Sequence, residues 1–383
     1  MSGKRWGMIV FFSIVAIMIV GTFIAFQQLN KPDKIVETFE EAVEQNKPNL
    51  LKDIILPDNK EAVVNTGTLA SLVTYLRTND QSYQVIKDGL KGQMEAKEYS
   101  PTNEQISLTA DGKRWGIITN YKLKVKTASI KVIGDSEDDR VQLSIKTSKK
   151  QFKTSDDKVY GPILPGIHDV NVSVTNSLGT LTENKKVDVW GNEQVTFVVD
   201  TERLAKDDKG IIADIVATVE VLNKELSVFE TSAYNTDVFT NVNDTFTGGE
   251  ITQAVIDEEF SNYAEYIDEI QSQYLGAVVN LDQLSINYFN GHWSADVTAL
   301  VSYNRKIKLI DIPTFEDLSY KSIRNYALAY NDKEKKWLIE GITDTEADGS
   351  ELESWKEKKT LTVKNPPLLK WSRKNSGDPK TSL

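Results

Sequence analysis

The chain has 383 residues, 40% hydrophobic and 26% charged, with a formal net charge of −11. That acidity excludes nucleic acid as the main partner, because phosphate binding needs a positive field. The absence of cysteine excludes disulfides, thiolate metal sites and a cysteine nucleophile, and the length is enough for two or three domains held by their own cores.

Residues 8–26, MIVFFSIVAIMIVGTFIAF, carry no charge, and Lys4 and Arg5 precede them. At 1.5 Å per residue such a run spans about 28 Å, close to the hydrocarbon thickness of a bilayer. The pattern predicts a single transmembrane helix over 8–26. By the positive-inside rule, residues 1–7 are cytoplasmic and the rest of the chain is extracellular at the cell membrane. A cleaved signal peptide has a shorter apolar core and a small-x-small exit; here Phe23, Ile24 and Phe26 crowd that exit.

Residues 31–98 read as a small helical domain. Ile35, Val36, Phe39 and Val43 share one helical face, with Asp33 as the candidate cap. Leu69, Leu72, Val73 and Leu76 repeat the spacing, and Tyr83, Ile86 and Leu90 mark a third helix. Residues 100–203 change to period two. Tyr121, Leu123 and Val125 alternate with Lys122, Lys124 and Lys126, and Val170, Val172 and Val174 do the same further on. Turn signals between such runs predict antiparallel, sandwich-like β modules with one buried face.

Residues 208–360 read as two long helices followed by strands. The first helix runs through Ile212, Ile215, Val219, Leu222, Leu226 and Phe229; the second through Val255, Phe260, Tyr263, Ile267 and Ile270. Asn290-Gly291 and Asn331-Asp332 are hairpin turns between the later strands. Helices ahead of a curved meander suggest an α+β cone of the NTF2-like type. Residues 361–383, rich in Pro, Lys and Ser, read as a flexible tail. The expected fold class is therefore α+β throughout the extracellular part.

Tyr160-Gly161-Pro162 followed by Pro165-Gly166-Ile167-His168 resembles the turn of PEGA-type envelope sandwiches. With an anchor, a helical domain, β modules and an NTF2-like end in that order, the chain resembles the TcaA family of Gram-positive membrane-anchored envelope proteins. The resemblance implies an envelope role connected with cell-wall integrity and sensitivity to glycopeptide antibiotics such as teicoplanin. Family members commonly begin with a cytoplasmic C-x-x-C zinc ribbon. No cysteine is present here, so the resemblance implies no signalling through such a metal module.

Little in the sequence carries reaction chemistry. His168 and His292 stand apart, without metal-ligand spacing, and read as a turn and a hairpin residue. There is no G-x-S-x-G and no phosphate-binding glycine loop. No cofactor, metal or catalytic residue is assigned. NTF2-like enzymes work inside their cone, where Tyr263, Tyr288, Trp293, Asp296 and Tyr303 are the pocket candidates, against the plainer reading that these residues fill it. Lys122, Lys124, Lys126, Lys131, Lys146, Lys149 and Lys150 form a local basic stretch, either a polyanion-binding face or a solubilising lysine row. Trp190, Trp355 and Trp371 are candidates for stacking on sugars or partners, or for packing. The sequence thus favours a non-catalytic envelope protein that binds a cell-wall glycopolymer or an envelope protein. The alternatives are an envelope enzyme or small-ligand carrier using the NTF2-like pocket, and a structural spacer.

Overall fold

The computed structural model describes residues 31–114, 118–148, 152, 157–247 and 253–375. The apolar run at 8–26, the residues before it, Lys149, Lys150 and the end of the tail lie outside these. Among the described residues no helix is long and apolar enough to cross a membrane. Two compact units divide the chain. One holds residues up to 135 with 139–174 and 182–199; the other holds 136–138, 175–181 and 200 onward.

In the first unit, helix α1 (Pro32–Glu44) buries Ile35, Val36, Phe39, Ala42 and Val43, the face that the spacing marked. Its cap position is Lys31 rather than Asp33, which sits in the first turn beside Pro32. There its carboxylate favours the positive end of the helix dipole. Helix α2 (Thr66–Thr78) starts with a reciprocal capping box between Asn65 and Thr68. Helix α3 (Asp80–Ala96) buries Tyr83, Ile86 and Leu90.

These helices do not form a bundle by themselves. Strands β1 (Ile55–Pro57), β2 (Ile106–Arg114) and β3 (Ile118–Val125) make a sheet in the order β1-β3-β2. Leu108, Leu123 and Val125 from that sheet join Phe39, Leu69, Leu72 and Leu90 in one core. Gln93 of α3, 9% exposed, fastens the layers: its amide donates to the Leu108 carbonyl at 3.1 Å and its oxygen accepts from the Leu108 N–H at 2.7 Å. No packing boundary therefore falls near residue 99, because three short amphipathic helices leave apolar surface that the strands cover.

Six further strands follow: β4 (Ala128–Ile133), β5 (Arg140–Ile145), β6 (Val159–Ile163), β7 (Gly166–Asn176), β8 (Gly179–Val189) and β9 (Gln194–Val198). They build two three-stranded sheets, β6-β4-β9 and β5-β7-β8. Tyr160 of the first donates its hydroxyl to the Val141 carbonyl of the second at 2.8 Å. The pairing is not purely antiparallel as expected: β1 pairs with β3, and β4 with β9, in parallel. Each parallel pair is joined by a long crossover, which period-two patterning does not reveal.

Gly166 opens β7 at φ +147, and a Cβ there would lie 2.5 Å from the Ser71 carbonyl carbon of α2. At the Pro165-Gly166 turn the start of β7 thus lies directly against the backbone of α2. His168 lies within β7 rather than in a turn and is fully buried; its Nε2 lies 2.7 Å from the Leu164 carbonyl.

In the second unit, α4 (Thr201–Asp207) and α5 (Lys209–Thr231) are capped by Asp200 and Asp208. Helix α6 (Gln253–Ala264) ends earlier than its periodicity suggested. Ile267 and Ile270 belong instead to β10 (Ile267–Phe289), whose burial alternates through Ile270, Ser272 and Tyr274. Spacing of three residues fits both a helix and an irregular strand, and pairing with two neighbours decides for the strand.

Strands β11 (His292–Leu309), β12 (Glu316–Asp317), β13 (Tyr320–Asn331), β14 (Lys336–Glu346), β15 (Lys358–Thr362) and β16 (Leu369–Ser372) complete the sheet. Its order is β14-β13-β11-β10-β15, with β12 on β11 and β16 on β10. Of the residues read as tail, 361–362 and 369–372 therefore belong to the sheet. Gly276 at φ +139 lets the Leu361 carbonyl approach to where a Cβ would be only 2.6 Å away.

Candidate ligand cleft

The concave interior of the second unit holds a polar network around Asn223 of α5, which is fully buried. Tyr303 of β11 donates to the Asn223 carbonyl at 2.8 Å, and Tyr326 of β13 lies 2.9 Å from Asn223 Oδ1. Arg324, 3% exposed, donates to the same Oδ1 at 2.9 Å and to the Tyr303 hydroxyl at 3.3 Å. Tyr320 stacks on Tyr303 with ring centroids 5.2 Å apart, and Tyr274 lies 5.4 Å from Tyr303 on the other flank.

Burial pushes the Tyr303 phenol up, with Arg324 opposing, and burial likewise raises Tyr274. For Arg324, burial favours the neutral form. The Asp344 hydrogen bonds and the nearby Tyr303 and Tyr326 outweigh it, so the net shift is upward. Phenols held protonated around a cation held charged are unsuited to general base work near neutral pH. The network rigidifies the cone.

The open volume lies further along the same unit. A cleft of about 690 Å³ is bounded by α5, the segment after it, α6 and the ends of β10 and β11. Its walls are aromatic and aliphatic: Phe229, Phe239, Phe246, Phe260, Ile267 and Ile307 among them. Phe229 packs against Phe239 at 5.1 Å and Phe239 against Phe246 at 5.5 Å. Phe260 of α6 meets Tyr234 at 5.2 Å and Trp371 of β16 at 5.3 Å. Helix α6 buries none of its residues fully, so it walls the cleft without sealing it.

Polar lining is sparse, Thr236 and the exposed Glu259 among it, and an ionic cluster stands beside the cleft. Tyr234 receives a hydrogen bond from Arg305 at 3.2 Å, and Arg305 pairs with Glu230 at 3.6 Å. Ser272 donates to the other Glu230 oxygen at 2.7 Å. Tyr263 and Tyr266, 66% and 61% exposed, form the rim. Among the described residues there is no cluster of His, Cys, Asp or Glu suited to a metal ion. The arrangement can hold an apolar molecule and offer hydroxyls to its outer end.

The pocket candidates taken from sequence do not converge. Tyr263 alone lines the cleft. Tyr303 belongs to the interior network. Tyr288 and Trp293 face each other across the β10–β11 hairpin at 4.9 Å. Asp296 is exposed and accepts from Ser285 at 3.1 Å. Strand alternation sends Asp296 to the opposite face from Trp293 and Ala295. The cleft's own aromatics were missed because Phe229, Phe239 and Phe260 lie on separate elements; the signal was the density of Phe and Tyr between 229 and 266.

The lysines scatter as well. Lys122, Lys124 and Lys126 sit on or just beyond β3, Lys131 on β4 and Lys146 just past β5, which are three different sheets. Lys122 donates to the Asp53 carbonyl and Lys126 to the Asn103 carbonyl. Trp355 and Trp371 are buried, and Trp190 is partly buried against the first core.

Comparison with known proteins agrees with this division. Residues 32–125 match the family described as the TcaA protein second domain, and residues 215–343 match the YvbJ NTF2-like domain. The chain is 20% identical over 431 residues to the uncharacterized membrane protein YvbJ of Bacillus subtilis, covering 92% of this chain and 69% of that protein. No solved structure matches it.

Proposed function

We propose that this chain, a TcaA-family protein that joins the TcaA second domain to a YvbJ-type NTF2-like domain, is a membrane-anchored envelope protein that binds an apolar ligand without transforming it. The observation that carries the reading is the aromatic cleft of about 690 Å³ beside α6. Its walls supply dispersion contact and desolvation, the one ionic side chain that lines it, Glu259, is exposed to solvent, and the nearby Arg305 and Glu230 are paired with each other. Among the described residues no nucleophile stands beside a base within it, which supports binding rather than catalysis.

The membrane assignment rests on the uncharged run at 8–26 with Lys4 and Arg5 ahead of it, and on the relative YvbJ, itself named as a membrane protein. The same charges orient the C-terminal units to the outer face. In that position a bound ligand would act on cell-wall integrity and on the response to glycopeptide antibiotics, as the TcaA resemblance implies. The dispersed lysines favour this reading over a polyanion-binding face.

Photo-crosslinking tests it. The full-length protein in membranes is exposed to a diazirine-bearing fatty acid, and the labelled peptides are mapped. Label concentrated on residues 229–246 and 256–267, competed by unlabelled fatty acid and lost in Phe239→Asp, is the expected result. Label spread without competition, or unaffected by that substitution, rejects the proposal.

A further inference from the structure

We infer that a second cleft, in the N-terminal unit around Trp190, is a glycan subsite that takes neutral hexose or N-acetylhexosamine units. The cleft is about 440 Å³ and lies between the start of α3, the segment before β2, the β3–β4 junction and the turn after β8. It belongs to a different unit from the aromatic cleft and does not rest on that proposal.

Trp190 is its apolar element. Tyr75 of α2, 8% exposed, stacks on the indole at 4.5 Å and 20°. That contact holds the ring while the remaining indole surface lines the cleft. A sugar ring presents an apolar C–H face of slightly positive character, which suits the negative face of an indole.

The surrounding chain is braced by its own hydrogen bonds. Gln105 donates to the Lys126 carbonyl at 2.7 Å and accepts from the Gly191 N–H at 3.3 Å. The Ser129 N–H reaches the Glu193 carbonyl at 2.9 Å. The Lys126 ammonium is committed to the Asn103 carbonyl. By contrast, the side-chain amides of Gln81, Asn103 and Asn192 and the carboxylate of Glu193 line the cleft, are exposed, and make no hydrogen bond among the described residues. A rigid frame thus presents free planar donors and acceptors around an aromatic plate.

That combination selects among ligand classes. A purely apolar ligand would leave the amides buried and unpaired, which costs the desolvation of each group. A polyanion would meet Glu104 and Glu193 beside a lysine already engaged. Sugar hydroxyls are donors and acceptors at once, matching both amide ends and the carboxylate, while the ring satisfies the tryptophan.

The test uses the full-length protein in detergent, titrated calorimetrically with chitotetraose, cellotetraose and maltotetraose, and with an alanine-rich tetrapeptide beside them. Saturable binding of at least one glycan, unchanged as salt is raised, is expected. Trp190→Ala should weaken it about tenfold or more, a loss on the scale of 1.4 kcal/mol. Because Trp190→Ala also disturbs Tyr75, the double variant Gln81→Ala/Asn192→Ala, at exposed positions, is read with it. It should weaken binding about threefold or more while leaving the unfolding midpoint in place. Binding of none of the three glycans, glycan binding indifferent to both variants, or binding of the peptide alone overturns the inference.

Discussion

The guanidinium of Arg324 closes on both carboxylate oxygens of Asp344, Nε to Oδ1 at 2.8 Å and Nη2 to Oδ2 at 2.9 Å. Arg324 is 3% exposed while the Asp344 side chain is 42% exposed. The pair therefore runs from the interior of the cone to its surface, and the third nitrogen, Nη1, is left to reach Asn223 and Tyr303.

Lysine cannot reproduce that geometry, having no planar fork. Arg324→Lys is expected to lower unfolding stability by about 2 kcal/mol, since it removes the buried donor to Asn223 Oδ1 and the Tyr303 hydroxyl and breaks the two-pronged pairing with Asp344. Tyr303→Phe, which removes only one hydroxyl from the same network, should cost about 1 kcal/mol. Denaturant titration of the two variants checks both the order and the size.

His168 supplies the pH dependence. Burial holds its imidazole below the ordinary value of 6.5, with the Leu164 carbonyl and Asp169 opposing. The unfolded chain therefore binds the proton first as pH falls. The stability that the neutral imidazole provides is complete above about pH 6.5 and declines as pH drops from there towards the lower folded value. Urea midpoints at pH 7 and pH 5 should differ less in His168→Leu than in the parent, even though the substitution lowers both by removing the partner of the Leu164 carbonyl.

Gly166→Ala tests the meeting of sheet and helix. A Cβ at that position would stand 2.5 Å from the Ser71 carbonyl carbon and 2.6 Å from the Leu72 nitrogen, and both are backbone atoms. Neither can rotate away, and the backbone angle is one that side-chain-bearing residues rarely adopt. A loss of about 3 kcal/mol or more is expected, seen as a lowered melting temperature. The same change at Gly92, where a Cβ would meet nothing within 4 Å beyond its chain neighbours and its own helix backbone, should be neutral or stabilising because it lies inside α3.

Charge reversal across Lys122, Lys124 and Lys126 should leave binding to an anionic wall polymer within about twofold at moderate salt, because an exposed pair of charges contributes little under screening. Two of these ammonium groups already donate to the carbonyls of Asp53 and Asn103. Co-sedimentation of parent and triple variant with purified wall across a salt series makes the comparison. A large, salt-sensitive loss would restore the lysine face as a binding surface.

The cleft around Phe239 shows what was hidden from sequence. Aromatic residues between 229 and 266 are visible as a composition. Their convergence needs α5 to run against β10 and β11, and needs β16 to bring Trp371 beneath Phe260. Similarly, Tyr303 and Asp296 lie seven residues apart on one strand, yet one is inside the cone and the other on its outside. The alternation was readable in β11 itself, but which face the helix would cover was not.

The residues alone determined the amphipathic faces of α1, α2, α3 and α5, the turns at Asn290-Gly291 and Pro165-Gly166, the absence of sulfur chemistry and the acidic charge. Each of these follows from local backbone preference or from the apolar period within one element. Tertiary structure decided the rest. It turned Ile267 and Ile270 from helix to strand, because β11 and β16 offered hydrogen-bond partners on either side. It drew residues 358–362 and 369–372 into the sheet, placed β1 and β9 in parallel pairs, and seated Gln93 against Leu108. These outcomes depend on which unpaired backbone groups and uncovered apolar faces meet across long stretches of chain, and no window of neighbouring residues carries that information.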